Sequence, residues 1–516
     1  MPLPVAQPHT PVVLGVDSST QSTKVAVVDR EAGRILGTGR APHTVTGESG
    51  ARESDPERWW QALTAAVAEG LAESGVRPTA VTGIAVAGQQ HGLVALGANG
   101  RPLRPAILWN DTRSAPQAAA LTEEQGANWW LERTGSVPVA SLTATTWQWL
   151  REHEPRTVAA TTALRLPHDH LTARLSGVAA TDPGDASGTG WFHTGTGAYD
   201  PEILQLLGID RDLLPEVAPT GATRIGTLTP EAATALGLPA GIPVAAGTGD
   251  NMAAAIGLGL GRAGLLDHPV LSLGTSGTVF AATRSRPTSP GVNGFAAADG
   301  SYLPLGCTLN CTLAVDKVAA LLRLDREDAT PGGRAVLLPY LDGERTPDLP
   351  HASGLLTGLR HATTPQQLLG AAYEGAAFTV LNALDELVTA CGEDPTDAAV
   401  AARPLRLIGG GAQGRTWVDT VRRLSGRPVV LPAATELVAL GAAALAAGAA
   451  TGADPVEIAT SWKSGSDIEL PPLERDMGTW ARIDGVLQQA SPGWAAQASP
   501  GWAAQASPGW AAGGPA

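Results

Sequence analysis

The sequence predicts an α/β protein made of two structurally similar domains, and three observations predict it. A chain of 516 residues with 43% apolar content is too long for one core and apolar enough for two. Short apolar runs that read as buried strands alternate with segments of helical apolar spacing. One design also occurs twice, at residues 12–28 and again at 270–282: an apolar run, a tip of Gly, Ser and Thr residues, and a returning apolar run.

In the first copy, Val12, Val13, Leu14 and Val16 form a strand apolar on both faces. Asp17 follows, then small and amide side chains, Thr23 and Lys24, before Val25 to Val28 resume the run. The tip offers backbone N–H groups, hydroxyls and one ammonium, which suits a polyphosphate, and Asp17 beside it suits that phosphate's magnesium ion. The same stretch also fits an ordinary hairpin with a solvated tip. Lysine is used only at 24, 317 and 463, so its presence here favours a chosen role.

Asp55 as N-cap, Pro56 at the first helical position and Glu57 in the first turn open a helix through Leu71. Val81 to Gly88 reads as a buried strand ending in Gln89-Gln90-His91-Gly92. Strand ends of α/β sheets are where ligands bind, so these amides and the imidazole are candidates to read a polar substrate; a purely structural histidine is the alternative. Ala106 to Arg113 is another strand breaking into polar residues, and Trp109 to Arg113 could wall the same pocket. Residues 115–180 read mainly as helices, and residues 181–200, rich in Gly, Asp, Ser and Thr, as a long loop. His168-Asp169-His170 has no further ligand cluster near in sequence, which argues against a metal site.

Ile242 to Asn251 is a short strand that stops at glycines and meets Asp250-Asn251 before a small-residue helix, Met252 to Ile256. A carboxylate at the mouth of a strand is where a catalytic base belongs, although Asp also serves well as a helix N-cap. The second hairpin, with Gly274, Thr275 and Ser276 at its tip, makes a pair with the first, and the two suggest a shared phosphate-binding cleft with Asp250 between them in sequence. Later elements are a strand near Leu337, a long helix from Pro365 to Leu387 bearing Glu374, a helix from Arg415 to Leu424, and a closely packed helix over Leu437 to Ala450. Gly409 to Gly414 and Gly259 to Gly264 fit G-x-G-x-x-G, but both lie deep in the chain, and no acid closes the strand after the later copy. Those glycines suit an adenine or ribose approaching the backbone.

The net charge of −14 leaves no basic surplus for nucleic acid. Three cysteines, Cys307, Cys311 and Cys391, fit a reducing cytoplasm better than a disulfide framework. No segment is long and apolar enough to span a bilayer, and the proline-rich start does not read as a signal peptide. The chain ends in three copies of Gln-Ala-Ser-Pro-Gly-Trp-Ala-Ala, starting at Gln489, Gln497 and Gln505. Pro-Gly in every copy predicts a disordered, dispensable tail. The expected division is a disordered leader over 1–11, an N-terminal domain over 12–257, a C-terminal domain over 258–488 and a low-complexity tail over 489–516.

Neither a P-loop nor the protein-kinase motif set is present. The chain resembles the FGGY carbohydrate kinases from Val12 to about Leu445. The resemblance rests on Asp17 to Lys24, Gly88 to Gly92, Ile107 to Asp111, Gly247 to Asn251, Leu273 to Gly277, Leu338 to Pro347 and Gly409 to Ala412, seven motifs in family order. It implies two actin-like (ribonuclease H-like) ATPase domains flanking a cleft, with ATP, Mg²⁺ and a sugar as ligands. It further implies that Asp250 is the general base, that Asp17 holds magnesium, and that Thr20, Ser22, Lys24, Gly274, Thr275 and Ser276 face the phosphates. Gly409, Gly410 and Gly411 would border adenosine, while Gln90, His91, Asp250 and Asn251 would contact a ketose such as D-xylulose. Small-molecule partners, no nucleic acid, no membrane and a homodimer are the accompanying expectations. Many bacterial relatives have glycine at Ser19, methionine at Gln90 and glycine at Thr248, and the second departure touches the sugar site. Kinases of ribulose, gluconate or glycerol, an actin- or chaperone-like ATPase, and a nicotinamide dehydrogenase are the competing readings.

Overall fold

The computed structural model describes residues 10–261, 265–349, 351–434, 436–462 and 467–497. Residues 1–9 of the leader expected over 1–11, and the last two repeat copies after Gln497, lie outside the described residues.

Two compact units form, and neither is continuous in sequence. Among the described residues, the first comprises those within 10–266, 281–304 and 433–462; the second comprises those within 267–280, 305–432 and 467–497. The packing boundary therefore departs from the linear one expected at 257/258. The reason is the helix Leu437–Thr451, whose side chains are Ala, Gly, Val, Leu and a terminal Thr. Its backbone reaches the first sheet and the helix Asp250–Gly257 so closely that a Cβ on Gly15 would fall 1.9 Å from Ala439 O, and one on Gly441 would fall 1.8 Å from Ala253 O. The sequence reading of a buried, closely packed helix holds.

In the first unit, strand Val12–Ser18 pairs antiparallel with Ser22–Asp29, which pairs antiparallel with Ile35–Pro42. On its other side Val12–Ser18 runs parallel to Val81–Gly88, and beyond that lie Pro243–Ala245 and Arg224–Thr227. All seven residues of Val12–Ser18 are buried, as the two-sided apolar run requires. Val12, Leu14, Val16, Val25, Val27, Trp59 and Leu63 share one core, each such side chain contributing roughly 1.5–3 kcal/mol by leaving water. The helix Pro56–Ser74 covers this face; Asp55 accepts the Glu57 N–H, as its signals predict, and Gly75 ends it in a left-handed conformation, past the expected end at Leu71.

The second unit repeats the plan. Strand Val270–Leu273 pairs antiparallel with Gly277–Phe280, which pairs antiparallel with Tyr302–Thr308. Val270–Leu273 also runs parallel to Leu405–Ile408, followed by Val429–Leu431 and an antiparallel edge strand, Ile468–Leu470. The long helix Pro365–Ala390 and the helix Arg415–Ser425 complete it.

Two loop expectations are corrected. Residues 181–200 are not an open loop: they contain the helix Pro183–Ala186, a 3₁₀ turn Ser187–Thr189 and the paired strands Phe192–His193 and Ala198–Tyr199. Side chain to backbone bonds from Asp182, Ser187 and Thr189 replace the missing apolar pattern. The first repeat copy is not disordered either, because the helix Met477–Gln497 runs through Pro492. Ile483, Leu487 and Trp494 lie on one face and pack with Val336, Leu338 and Tyr340, and this burial outweighs the proline. The carbonyl that Pro492 leaves unbonded belongs to Gln488, which is exposed to water.

Candidate active site

At the C-terminal end of the first sheet, the register brings separate stretches together. Asp17 lies opposite Lys24 across the hairpin and beside Ala87 of the parallel neighbour. Gly249 pairs with Gly88, so the chain leaves the sheet at Gln89 and at Asp250 side by side. Asp250 does not cap the helix it opens. Gly249 occupies the cap position, and the Asp250 Oδ1 accepts the Asn251 N–H at 2.8 Å. Asn251 Nδ2 donates to Gln90 Oε1 at 2.8 Å, tying two of the expected sugar residues to each other. A Cβ on Gly249 would fall 2.7 Å from Gln90 Cγ, so glycine is needed for Gln90 to lie there.

Gln90 Nε2, both amide atoms of Gln89 and Asn110 Oδ1 are buried without a protein hydrogen-bond partner. Orphaned amide groups beside a carboxylate are what a hydroxyl-rich ligand would satisfy. His91 adopts φ of 67°, rare for a non-glycine residue, and its carbonyl accepts from Thr143 Oγ1 at 3.0 Å.

Burial, then the negative charges of Asp17 and Asp185, push the Asp250 carboxyl up to about 8. Burial also raises Asp17, against the Ser19 hydroxyl and the Lys24 ammonium. Ser19 Oγ donates to Asp17 Oδ1. Lys24 Nζ lies 3.0 Å from Glu436, and both side chains are about a third exposed, so the pair is worth at most about 1 kcal/mol. Trp109 Nε1 donates to Thr20 Oγ1 at 3.0 Å, which places Trp109 against the first hairpin. Ser22 is buried and receives the Arg40 guanidinium at 3.3 Å. Among the described residues no group of three or more His, Cys, Asp or Glu is arranged to hold a metal ion.

In the second unit, Gly274, Thr275 and Ser276 form the tip between Val270–Leu273 and Gly277–Phe280. The Gly274 carbonyl accepts from Thr312 N at 3.0 Å and Thr312 Oγ1 at 2.8 Å, docking the tip on the helix Thr312–Leu322. Gly409 to Gly411 follow the adjacent parallel strand. Gly409 has φ of 85°, and a Cβ on Gly409 or Gly411 would press on Leu273, at 2.9 and 2.7 Å. These two glycines are required by the fold itself, whereas a Cβ on Gly410 would meet nothing within 4 Å.

Several partners escape a sequence reading. Glu436 lies far from Lys24 along the chain and no local pattern links them; the roles of Asp182 and Asp185 are hidden in a stretch that looks like loop.

Two family models match the chain: the N-terminal domain of the FGGY family of carbohydrate kinases over residues 12–257, and the C-terminal domain of that family over residues 270–450. The chain belongs to the FGGY family of carbohydrate kinases. A xylulose kinase from Streptomyces rubiginosus is 56% identical over 485 residues, covering 93% of this chain and 97% of that protein. One from Escherichia coli is 34% identical, covering 84% of this chain and 89% of that protein. The solved structure of a xylulose kinase from Bifidobacterium adolescentis superposes with a TM-score of 0.77 at 32% identity, covering 92% of this chain and 99% of that one. The protein is a sugar kinase, a phosphotransferase with an alcohol group as acceptor, and its fold is the two-domain actin-like ATPase fold.

Proposed function

We propose that the chain transfers the γ-phosphoryl group of ATP to the terminal hydroxyl of D-xylulose, giving D-xylulose 5-phosphate and ADP in xylose catabolism. The observation that carries this reading is the meeting of Asp250 and Asn251 with the partly unsatisfied Gln90 amide at one strand end. Asp250 takes the hydroxyl proton as the sugar oxygen bonds to the γ-phosphorus, and ADP leaves with the electrons of the broken P–O bond. Its raised pKa makes it a stronger base than an ordinary carboxylate.

Gln90, His91, Asp250 and Asn251 bind the ketose. Thr20, Ser22 and Lys24 of the first hairpin, with Gly274, Thr275 and Ser276 of the second, hold phosphates, and Gly409, Gly410 and Gly411 border adenosine. Asp17 suits Mg²⁺: it is a buried carboxylate with a hydroxyl beside it, and magnesium takes one or two carboxylates together with water and phosphate oxygens. When bound, the ion neutralises charge on the transferred phosphate. A cytoplasmic location and a homodimer complete the reading, the latter checked by sedimentation equilibrium. Among the described residues no single helix is long and apolar enough to cross a membrane.

ATP consumption with a panel of D-xylulose, D-ribulose, gluconate and glycerol tests the proposal. D-Xylulose should give the highest kcat/KM. Turnover indifferent to every sugar would overturn it and favour an ATPase whose cycle drives partner binding.

A further inference from the structure

We propose that His168 is a positioning residue of the sugar site, holding His91 and the strand end of Asp250 in place through the turn at residues 182–189. The inference rests on the reading that His91 and Asp250 serve the sugar.

His168 lies in the first turn of the helix Pro167–Ser176 and is fully buried. Three carboxylates surround its ring: Nδ1 is 2.6 Å from Asp185, and Nε2 is 3.2 Å from Asp169 and 3.9 Å from Asp182. Nδ1 makes the hydrogen bond to Asp185, while Nε2 faces Asp169 and Asp182 without a hydrogen bond, so the carboxylates act on that side of the ring through charge. Burial alone would lower its pKa, but Asp169, Asp185 and Asp182 outweigh that and push it up to about 9. Arg165 and Tyr199, facing Asp169, and Asp250, facing Asp185, are the other ionisable groups near the cluster.

Each carboxylate then reaches a different part of the site. Asp185 faces the backbone N–H of His91. Three residues on, Gly188 lies against the His91 ring, where a Cβ would come within 2.2 Å of the imidazole. Asp182 caps the short helix through the N–H groups of Gly184 and Asp185, and it accepts from Thr248 Oγ1 at 2.7 Å, two residues before Asp250. His168 itself packs under both strand ends: a Cβ on Gly88 would fall 2.9 Å from His168 Cβ, and one on Gly247 would fall 3.1 Å from His168 Cδ2. Without the cation, three buried carboxylates would be left facing one another, and the turn that seats His91 would lose its anchor.

Steady-state kinetics of wild type, His168→Gln and His168→Lys test this, with the melting temperature followed in parallel. His168→Gln should raise KM for D-xylulose about tenfold or more while KM for ATP changes less than about twofold, and His168→Lys, which keeps a cation, should recover much of the loss. A folded His168→Gln enzyme with an unchanged sugar KM, or with both KM values raised alike, would overturn the proposal. Should that variant not fold, wild type answers: KM for D-xylulose should climb as pH passes about 9, where the imidazolium deprotonates, while KM for ATP stays level. A flat sugar KM across that range would overturn it. Absence of sugar-dependent turnover in wild type would instead sink the kinase reading, and calorimetric titration with D-xylulose and no ATP then decides on the clamp by itself: weaker binding to His168→Gln supports it, and equal binding contradicts it.

Discussion

Asp250 carries the chemistry in this account, and its environment makes it unusual among the acids of the chain. A carboxyl pushed up to about 8 is mostly protonated at neutral pH in the free enzyme. We therefore expect kcat/KM for the sugar to rise with pH up to about 8 and to fall again as pH passes about 9, where loss of the His168 charge raises KM, as a pH–rate profile would record. Stability should move the opposite way. A folded-state pKa above the unfolded value contributes stability below the unfolded pKa that is lost as pH rises through the folded one. Asp250→Asn cannot ionise, so at pH above about 8 it should melt at a higher temperature than wild type in differential scanning fluorimetry, while its kcat falls roughly 10²- to 10⁴-fold. Gln90→Ala should raise KM for the sugar with little change for ATP; a defect confined to ATP would contradict the assignment of Gln90. Asp17, Gln90 and Asp250 were legible as candidates because polar residues at the ends of apolar strands stand out. Their partners were not. Glu436 and the cluster around His168 come from segments distant along the chain, and only the folded register joins them to the site.

At the scale of elements, apolar periodicity and capping chemistry carried most of the reading. The two hairpins, the helix from Pro56 and the Ala/Gly helix at Leu437 lie where apolar runs and N-cap signals put them, within a few residues. The segment at 181–200 was misread because side-chain bonds to backbone, not apolar spacing, order it. The tail was misread because Pro-Gly spoke louder than the apolar stripe of Ile483, Leu487 and Trp494. Trp494 packs 5.7 Å from the Tyr340 ring, so the tail is not uniformly dispensable. Truncation after Gln497 should leave the melting temperature unchanged, whereas truncation after Gln488 removes Trp494 and should cost about 3 kcal/mol, as denaturant unfolding would show. Gly441→Ala tests the close helix contact. Its Cβ would strike Ala253 O, and we expect a loss of about 1–3 kcal/mol by the same measurement.

For the whole molecule, the repeated hairpin was a true sign of a repeated plan. Each unit sets its hairpin and a third antiparallel strand beside parallel strands. What the linear sequence could not give is the membership of each unit, since described residues within 281–304 and 433–462 pack with the first unit although they follow it along the chain. Family membership and the relatives at 56% and 34% identity make phosphoryl transfer to a sugar the reaction, and we propose Asp250 as its base. The most direct test is phosphorus NMR of the product formed from ATP and D-xylulose by wild type and by Asp250→Asn. The account predicts a new phosphomonoester on the terminal oxygen of D-xylulose with wild type, formed at least about a hundredfold more slowly by Asp250→Asn. Equal rates of that product from both enzymes, or no sugar phosphate from wild type, would contradict it.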